Sequence, residues 1–434
     1  MRRVDIGLLL SDAVEFCLNG CFTAGDIRSV SGEGRVTACG DCVEWQGRRY
    51  DKLLFVPDNE DCTFMVYNVV IGIDFHWERR ENQLFKGELL FFVEDGKVRV
   101  VNRIDVEDYL QSVISSEMSS TSSLQLLKAH AVISRSWLYA QLARAEKGGV
   151  ESVLCERCDD SEIIRWYARE DHKLFDFCAD DHCQRYQGLT RAMNPNVVRA
   201  VEETSGVVLV SDGAVCDARF SKCCGGITES FSSCWENTDV PYLVSFRDAA
   251  DESEAFDASN EADARRWIEG RAEAFCSNVD AGVLAQVLNG YDRETNDFYR
   301  WSVTYTAEEL SALIKKKSGI DFGCVEELVP LQRGASGRII KLRIVGSERT
   351  LVVGKELEIR RWLSPTHLYS SAFVVDKQQG ADGGTSFVLR GAGWGHGVGL
   401  CQIGAAAMSE QGYDYCAILS HYYPDTELKN INYL

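Results

Sequence analysis

Over residues 1–105, apolar and polar positions alternate in short runs. RRVDIGLLL, GRVTAC, DKLLFVP, CTFMVYNVVIGIDFHW and GELLFFVEDGKVRVVN are broken by Gly, Asn and Asp. Such runs predict strands, and EDGK at 94–97 predicts a hairpin turn. The period then changes. In VEDYLQSVISSEM, apolar side chains fall at 106, 109, 110, 113, 114 and 118, which is helical spacing. The SSTSS break offers N-capping hydroxyls. LQLLKAHAVISRSWLYAQLARAE then predicts a helix of about six turns, stopped at Gly148–Gly149.

Residues 150–188 are polar and rich in Cys and His, which predicts irregular chain. Strand patterning returns at 206–222, helical patterning covers 258–320, and strands resume at 338–353 and 386–390. Helices are expected at about 402–411 and 414–422. The pattern predicts an α+β protein. Its β-rich N-terminal region, 1–100, is expected to be part of the main domain or packed on it. Residues 101–434 form a mixed domain with an acidic helical insertion at about 245–320. The 434 residues suffice for a large core with two or three lobes.

Charge narrows the function classes. The net charge of −20 lacks the basic footprint that nucleic-acid binding needs, but it is compatible with a neutral glycan. The acidic run at 248–264 predicts a solvated face. No apolar run approaches the ~20 residues of a membrane span. At the start, Asp5 and Asp12 bound Ile6–Leu10, which is too short for a signal-peptide core. The expectation is a first strand, in a protein that is either cytoplasmic or shown without its export signal. The seventeen cysteines are then expected to be mostly free thiols with one metal site.

Three constellations carry candidate chemistry. Lys128, Arg135 and Tyr139 are spaced to fall within about 40° on one helix face. Their helix is apolar nearly all round, hence buried, so its cations need a partner or a ligand. Glu117 is the nearest preceding carboxylate. It reads either as an ion-pair partner or as a proton donor, because nearby cations favour the carboxylate while apolar burial favours the acid.

In GAGWGHGVGLCQIGAA, 391–406, alternating glycines allow close backbone approach around His396. The stretch reads either as a packed strand-to-helix corner or as a substrate-lining wall, and it lacks the lysine of a P-loop. In REDHKLFDFCADDHCQRYQG, 169–188, His172, Cys178, His182 and Cys183 offer ligands for zinc. His182 adjoins Cys183, and neighbouring residues seldom point to one metal. A rival site pairs Cys178 and Cys183 with Cys155-x₂-Cys158, and unliganded loop thiols are the remaining reading.

Together and in this order, these stretches resemble the stage II sporulation protein D family. The matching segments are VEDYLQSVISSEM…LQLLKAHAVISRSW, FDFCADDHCQRYQG, RFSKCCGGITES and GWGHGVGLCQIGA, spanning about 100 to 425. The resemblance implies action on cell-wall peptidoglycan in the cell envelope. Sporulation members are lytic transglycosylases and other members are amidase enhancers, so the implied partners are glycan strands and a cell-wall amidase. It further implies Glu117 as catalytic acid/base, with Lys128, Arg135, Tyr139, His396 and Gln402 binding substrate. His172, Cys178 and Cys183 would bind a structural zinc, with His182 as the substitute.

The implied chemistry suits one carboxyl group. A hydrolysing glycosidase normally uses two. A lytic transglycosylase needs one, which protonates the glycosidic oxygen and then takes the proton of the sugar's own 6-hydroxyl. This chain departs from the sporulation members in its β-rich N-terminal stretch, its extra cysteines, its acidic insertion and the lack of a visible anchor.

Overall fold

The alternation of the first 105 residues is realised as ten strands. These are β1 (Arg3–Ser11), β2 (Ala13–Ala24), β3 (Ile27–Cys39), β4 (Cys42–Trp45), β5 (Arg48–Tyr50), β6 (Lys52–Pro57), β7 (Thr63–Ile71), β8 (Arg79–Lys86), β9 (Glu88–Glu94) and β10 (Lys97–Asp105). The structure, a computed structural model, describes all residues except 1, 72–78, 120–121, 148–152, 168–171, 181–182, 191–194, 252–255, 278, 288–297 and 381–382. The strands form one antiparallel sheet in the order β1-β10-β9-β6-β2-β3-β4-β5, with β7 on β2 and β8 on β7. Asp95 and Gly96, both with positive φ, make the expected tight turn between β9 and β10. Alternate side chains point into an aromatic core in which Phe16 lies 5.3 Å from Phe55 and 5.2 Å from Phe91.

The change of period after β10 is a change to helix. Helix α1 (Val106–Glu117) is capped by Asp105, whose side chain accepts from the Glu107 amide, and it buries Val106, Tyr109, Leu110, Val113 and Ile114. Helix α2 (Leu124–Glu146) starts after Ser123, whose hydroxyl accepts from the Leu126 amide at 3.2 Å. It is buried nearly all round, as its apolar surface requires, with Leu126, Leu127, Ala131, Val132, Ile133 and Leu138 fully enclosed.

The chain separates into two compact units. The first comprises Met1–Ser120, Leu142–Gly149 and Asp171–Gly206. It holds the large sheet, α1, the helix Pro195–Glu203 packed on α1, and a short strand, Phe177–Cys178, that adds to β1 in parallel. The second comprises Thr121–Gln141, Val150–Glu170 and Val207–Leu434.

In the second unit the sequence expectation is corrected in three places. Val153–Cys158 and Glu162–Tyr167, expected to be irregular, form an antiparallel hairpin. The hairpin joins a five-stranded sheet with Thr350–Gly354, Ile339–Gly346 and Val325–Arg333. Its outer strand is largely exposed at 155–158, so it tolerates the polar residues that hid it. Arg300–Thr306 lies inside the expected helical stretch but is a strand that pairs with Thr385–Ala392, which also pairs with Phe373–Gln379. Glu356–Trp362 is an unanticipated helix. Its buried Glu358 accepts from Arg165, Tyr167 and the Trp362 indole, so a polar-looking segment lies inside the fold. The closing helices Gln402–Glu410 and Tyr415–Tyr422 occur as expected. No helix among the described residues is long and apolar enough to cross a membrane.

Candidate functional site

In the first unit, Glu117 is the last residue of α1 and is half-buried. Its carboxylate makes no ion pair or side-chain hydrogen bond with a described residue. One of the supports of α1 is the segment that carries the Cys and His residues. Tyr109 of α1 stacks on Phe177 at 6.3 Å and on Tyr186 at 5.2 Å. The Ser112 hydroxyl donates to the Gly188 carbonyl at 2.8 Å. Tyr186 donates to the buried amide of Asn102, which in turn donates to the Lys86 and Glu88 carbonyls, so this buried polar group is fully used. Two further backbone bonds, Asp176 N to Asp5 O and Ala179 N to Gly7 O, lock the segment along β1.

On that segment His172, Cys178 and Cys183 place one ligand atom each within 4.8 Å of the others. His172 Nε2 lies 3.5 Å from Cys183 Sγ, and the Cys178 amide donates to Cys183 Sγ at 3.4 Å. One imidazole and two sulfurs, all half-buried, are a donor set that zinc accepts. His182 lies outside the described residues. The rival four-cysteine site is overturned, because Cys155 and Cys158 are joined to each other as a disulfide. The other fifteen cysteines are not joined in disulfides.

In the second unit the residues of α2 and of the closing motif part ways. Arg135 is fully buried and donates to the Val207 carbonyl at 3.0 Å. Lys128 is half-buried, with its ammonium 5.6 Å from the centre of the Tyr415 ring, and Tyr139 is half-buried. Gln402 is buried, and its side-chain nitrogen lies 3.0 Å from Nε2 of His130, which is also on α2. The closing motif therefore meets α2 through His130, a residue that the spacing argument did not single out.

His396 is half-buried and accepts the Val398 amide at Nδ1, which leaves Nε2 to carry the proton. Burial, then Arg219, Arg338 and Arg360, hold its pKa well below the usual histidine range, so it is neutral at working pH. Its ring meets the edge of half-buried Trp235 at 5.0 Å, and the Arg219 guanidinium lies 4.4 Å over that indole. Arg338, fully buried, clamps the loop from behind by donating to the Gly395 and Cys224 carbonyls. Gly397 has φ +76°, and a Cβ there would collide with the Arg338 guanidinium. Gly397→Ala is expected to destabilise the fold by about 1–3 kcal/mol, read as a lower urea midpoint with an unchanged slope.

A family model described as "Stage II sporulation protein" matches residues 94–210, and a second, described as "Domain of unknown function (DUF8618)", matches 229–399. Residues 94–210 are thus similar to the stage II sporulation protein family. A stage II sporulation protein D of Bacillus amyloliquefaciens is 22% identical over 76% of this chain and 75% of its own length. An amidase enhancer of Bacillus subtilis is 27% identical over 54% of this chain, but only 33% of that relative is covered. An uncharacterized protein of Brachyspira hyodysenteriae is 27% identical over 80% of this chain and 73% of its own length.

The sporulation domain contains Glu117, Lys128, Arg135, Tyr139, His172, Cys178 and Cys183, whereas His396 falls in the second matched segment and Gln402 lies beyond both. Sequence reasoning around this domain missed His130, Trp235 and Arg338, because nothing local marks them as neighbours of the closing motif. It also missed Cys224, Asp248, Cys276 and Cys401, a fully buried group able to hold a metal ion. The only local signal was the cysteine pair in RFSKCCGGITES and the single cysteine in GWGHGVGLCQIGA.

His130 also sets a pH dependence. Burial, with Lys222 adding to it, pushes its pKa from 6.5 down to about 3. Below 6.5 the unfolded chain binds a proton that the folded chain refuses, so stability falls as pH drops through that window. Urea unfolding between pH 7.5 and 4.5 is expected to show a shallower pH slope in His130→Gln than in wild type. Equal slopes would remove His130 from the account.

Proposed function

We propose that this chain is a lytic transglycosylase that cleaves the MurNAc–GlcNAc bond of peptidoglycan glycan strands, with Glu117 as general acid and then general base. A cell-wall-related role is supported by the sporulation domain and by the likeness to an amidase enhancer. The observation that carries the finer reading is the setting of Glu117. It is a half-buried carboxyl at a helix end, unpaired with any described cation, on a helix braced by the Cys/His segment.

The protonated Glu117 donates to the bridging oxygen as the bond from the anomeric carbon breaks. The resulting carboxylate takes the proton of the muramyl 6-hydroxyl, whose oxygen attacks the anomeric carbon and closes the anhydro ring. The acid is thereby restored and no water is consumed. Within the second unit, taken by itself, the half-buried rings of His396 and Trp235 are a surface on which a sugar face can pack, and the resemblance proposes Lys128 and Tyr139 as polar contacts. Arg135 and Gln402, bonded inside the fold, serve as positioning residues. His172, Cys178 and Cys183 would hold zinc, which would supply a cross-link rather than reaction chemistry. The proposed location is the cell envelope.

The likeness to the amidase enhancer favours a second reading, a non-catalytic wall binder that stimulates an N-acetylmuramoyl-L-alanine amidase. Mass spectrometry of products from purified denuded and peptide-bearing glycan separates the two. Anhydro-ended fragments made by the protein alone support the transglycosylase. No fragments, together with faster release of peptides when an amidase is added, support the enhancer.

A further inference from the structure

We propose that Cys224, Asp248, Cys276 and Cys401 form a second, closed metal centre that takes a thiophilic divalent cation of the zinc class and staples the closing glycine-rich motif to the body of the second unit. All four side chains are buried, and their ligand atoms lie within 4.8 Å of one another. The sulfurs of Cys224 and Cys276 are 3.6 Å apart, close to the ~3.8 Å edge of a tetrahedron with ~2.3 Å zinc–sulfur bonds. Cys224 Sγ is 3.1 Å from Asp248 Oδ2, slightly inside the ~3.5 Å edge expected between a sulfur and an oxygen ligand.

The surroundings are those of a ligand set held in place. Asp248 turns Oδ2 to the thiols, while Oδ1 accepts from His421 at 3.1 Å and from Tyr422 at 2.8 Å. A carboxylate ligand whose other oxygen is fixed by hydrogen bonds is a recurring feature of metal sites. Backbone amides point at the sulfurs: Cys224 and Gly404 donate to Cys401 at 3.2 and 3.4 Å, and Gly226 donates to Cys224 at 3.3 Å. Cys401 also caps the helix Gln402–Glu410, where the helix N-terminus favours a thiolate. Without a cation, this arrangement leaves a carboxylate sealed among thiols.

The ligands come from four separate stretches of chain, so a bound cation would cross-link them. Cys401 directly follows the loop that carries His396, and the Cys223–Trp394 bridge lies beside the centre. The centre is distinct from the His172, Cys178 and Cys183 group, which belongs to the first unit.

The test is metal content of the full-length chain, purified under reducing conditions and measured by plasma mass spectrometry. Cys276→Ser and Asp248→Asn are each expected to hold one equivalent fewer than wild type. Cobalt loaded into Cys178→Ser/Cys183→Ser is expected to show charge-transfer bands of three-thiolate intensity. Where a cysteine variant fails to fold, zinc-edge X-ray absorption of wild type gives the reading, with an average above two sulfurs per zinc expected. Three results would overturn the proposal: unchanged metal content in Cys276→Ser, two or fewer sulfurs per zinc, or a Cys224–Cys276 disulfide in freshly purified protein. Unchanged content in Asp248→Asn would overturn Asp248 as a ligand and move the fourth bond to Cys223, whose thiol faces Cys276 and Cys401.

Discussion

Glu117→Gln is expected to lower the release of anhydro-ended glycan fragments by about 10²–10⁴-fold, the range typical of a lost general acid–base. The amide keeps the shape of the side chain but can neither donate the proton to the leaving oxygen nor recover one from the 6-hydroxyl. Folding should barely respond. Glu117 is half-buried at the end of α1 and makes no ion pair with a described residue, so stability should stay within about 0.5 kcal/mol of wild type. Lost activity with unchanged unfolding is therefore the signature. A Gln variant that releases the same fragments within a few-fold of the wild-type rate would remove Glu117 from the chemistry. Retained amidase stimulation by that variant, with no fragments from either protein, would leave the enhancer reading standing.

Removing metal from His172, Cys178 and Cys183 should have the second-largest effect, on stability first. A cation bound only by the folded state adds about 4 kcal/mol when free metal is ~1,000 times its dissociation constant. Cys183→Ser should forfeit most of that and lower the thermal midpoint. The loss should spread along a defined route. The metal segment holds α1 through the Tyr109 stacks on Phe177 and Tyr186 and through the bond from Ser112 to Gly188. Amide exchange in 106–117 should therefore speed up in Cys183→Ser, and fragment release should fall even though no ligand residue touches sugar in the proposed mechanism. Unchanged exchange in α1 after metal loss would mean that the cluster does not brace the helix. A site-directed variant is preferable to a chelator here, because a chelator would also strip the second centre proposed above.

Much of this protein can be read in one dimension. Apolar runs marked β1, the end of β3, β6, β7, β9 and β10, and Asp95–Gly96 marked the turn between the last two, whereas β2, β4, β5 and β8 were not singled out. The switch to helical spacing at 106 marked α1 and placed Glu117 at its end. The spacing of His172, Cys178 and Cys183 allowed a ligand cluster beside two other readings, and the fold brings their donor atoms together. These features are local: each is set by side chains within a dozen residues, where backbone period and ligand reach operate directly.

Tertiary structure decided the rest, because the relevant partners lie far apart along the chain. Helical spacing put Lys128, Arg135 and Tyr139 on one face, but only packing showed that Arg135 is bonded to Val207 and that His130 meets Gln402. Edge exposure hid the strand Val153–Cys158, and buried carboxylates hid the helix Glu356–Trp362, since hydrophobic counting assumes that polar residues face water. Cys155–Cys158 looked like half a metal site and is a disulfide. Cys224, Asp248, Cys276 and Cys401 carry no common spacing; chain folding alone makes them neighbours. By itself, then, the sequence determined several of the strands and the helix that presents Glu117 through short-range periodicity, and it left a ligand cluster at 172–183 as one reading among others. Which buried polar groups meet was left to long-range packing, where each must find a partner or pay for desolvation.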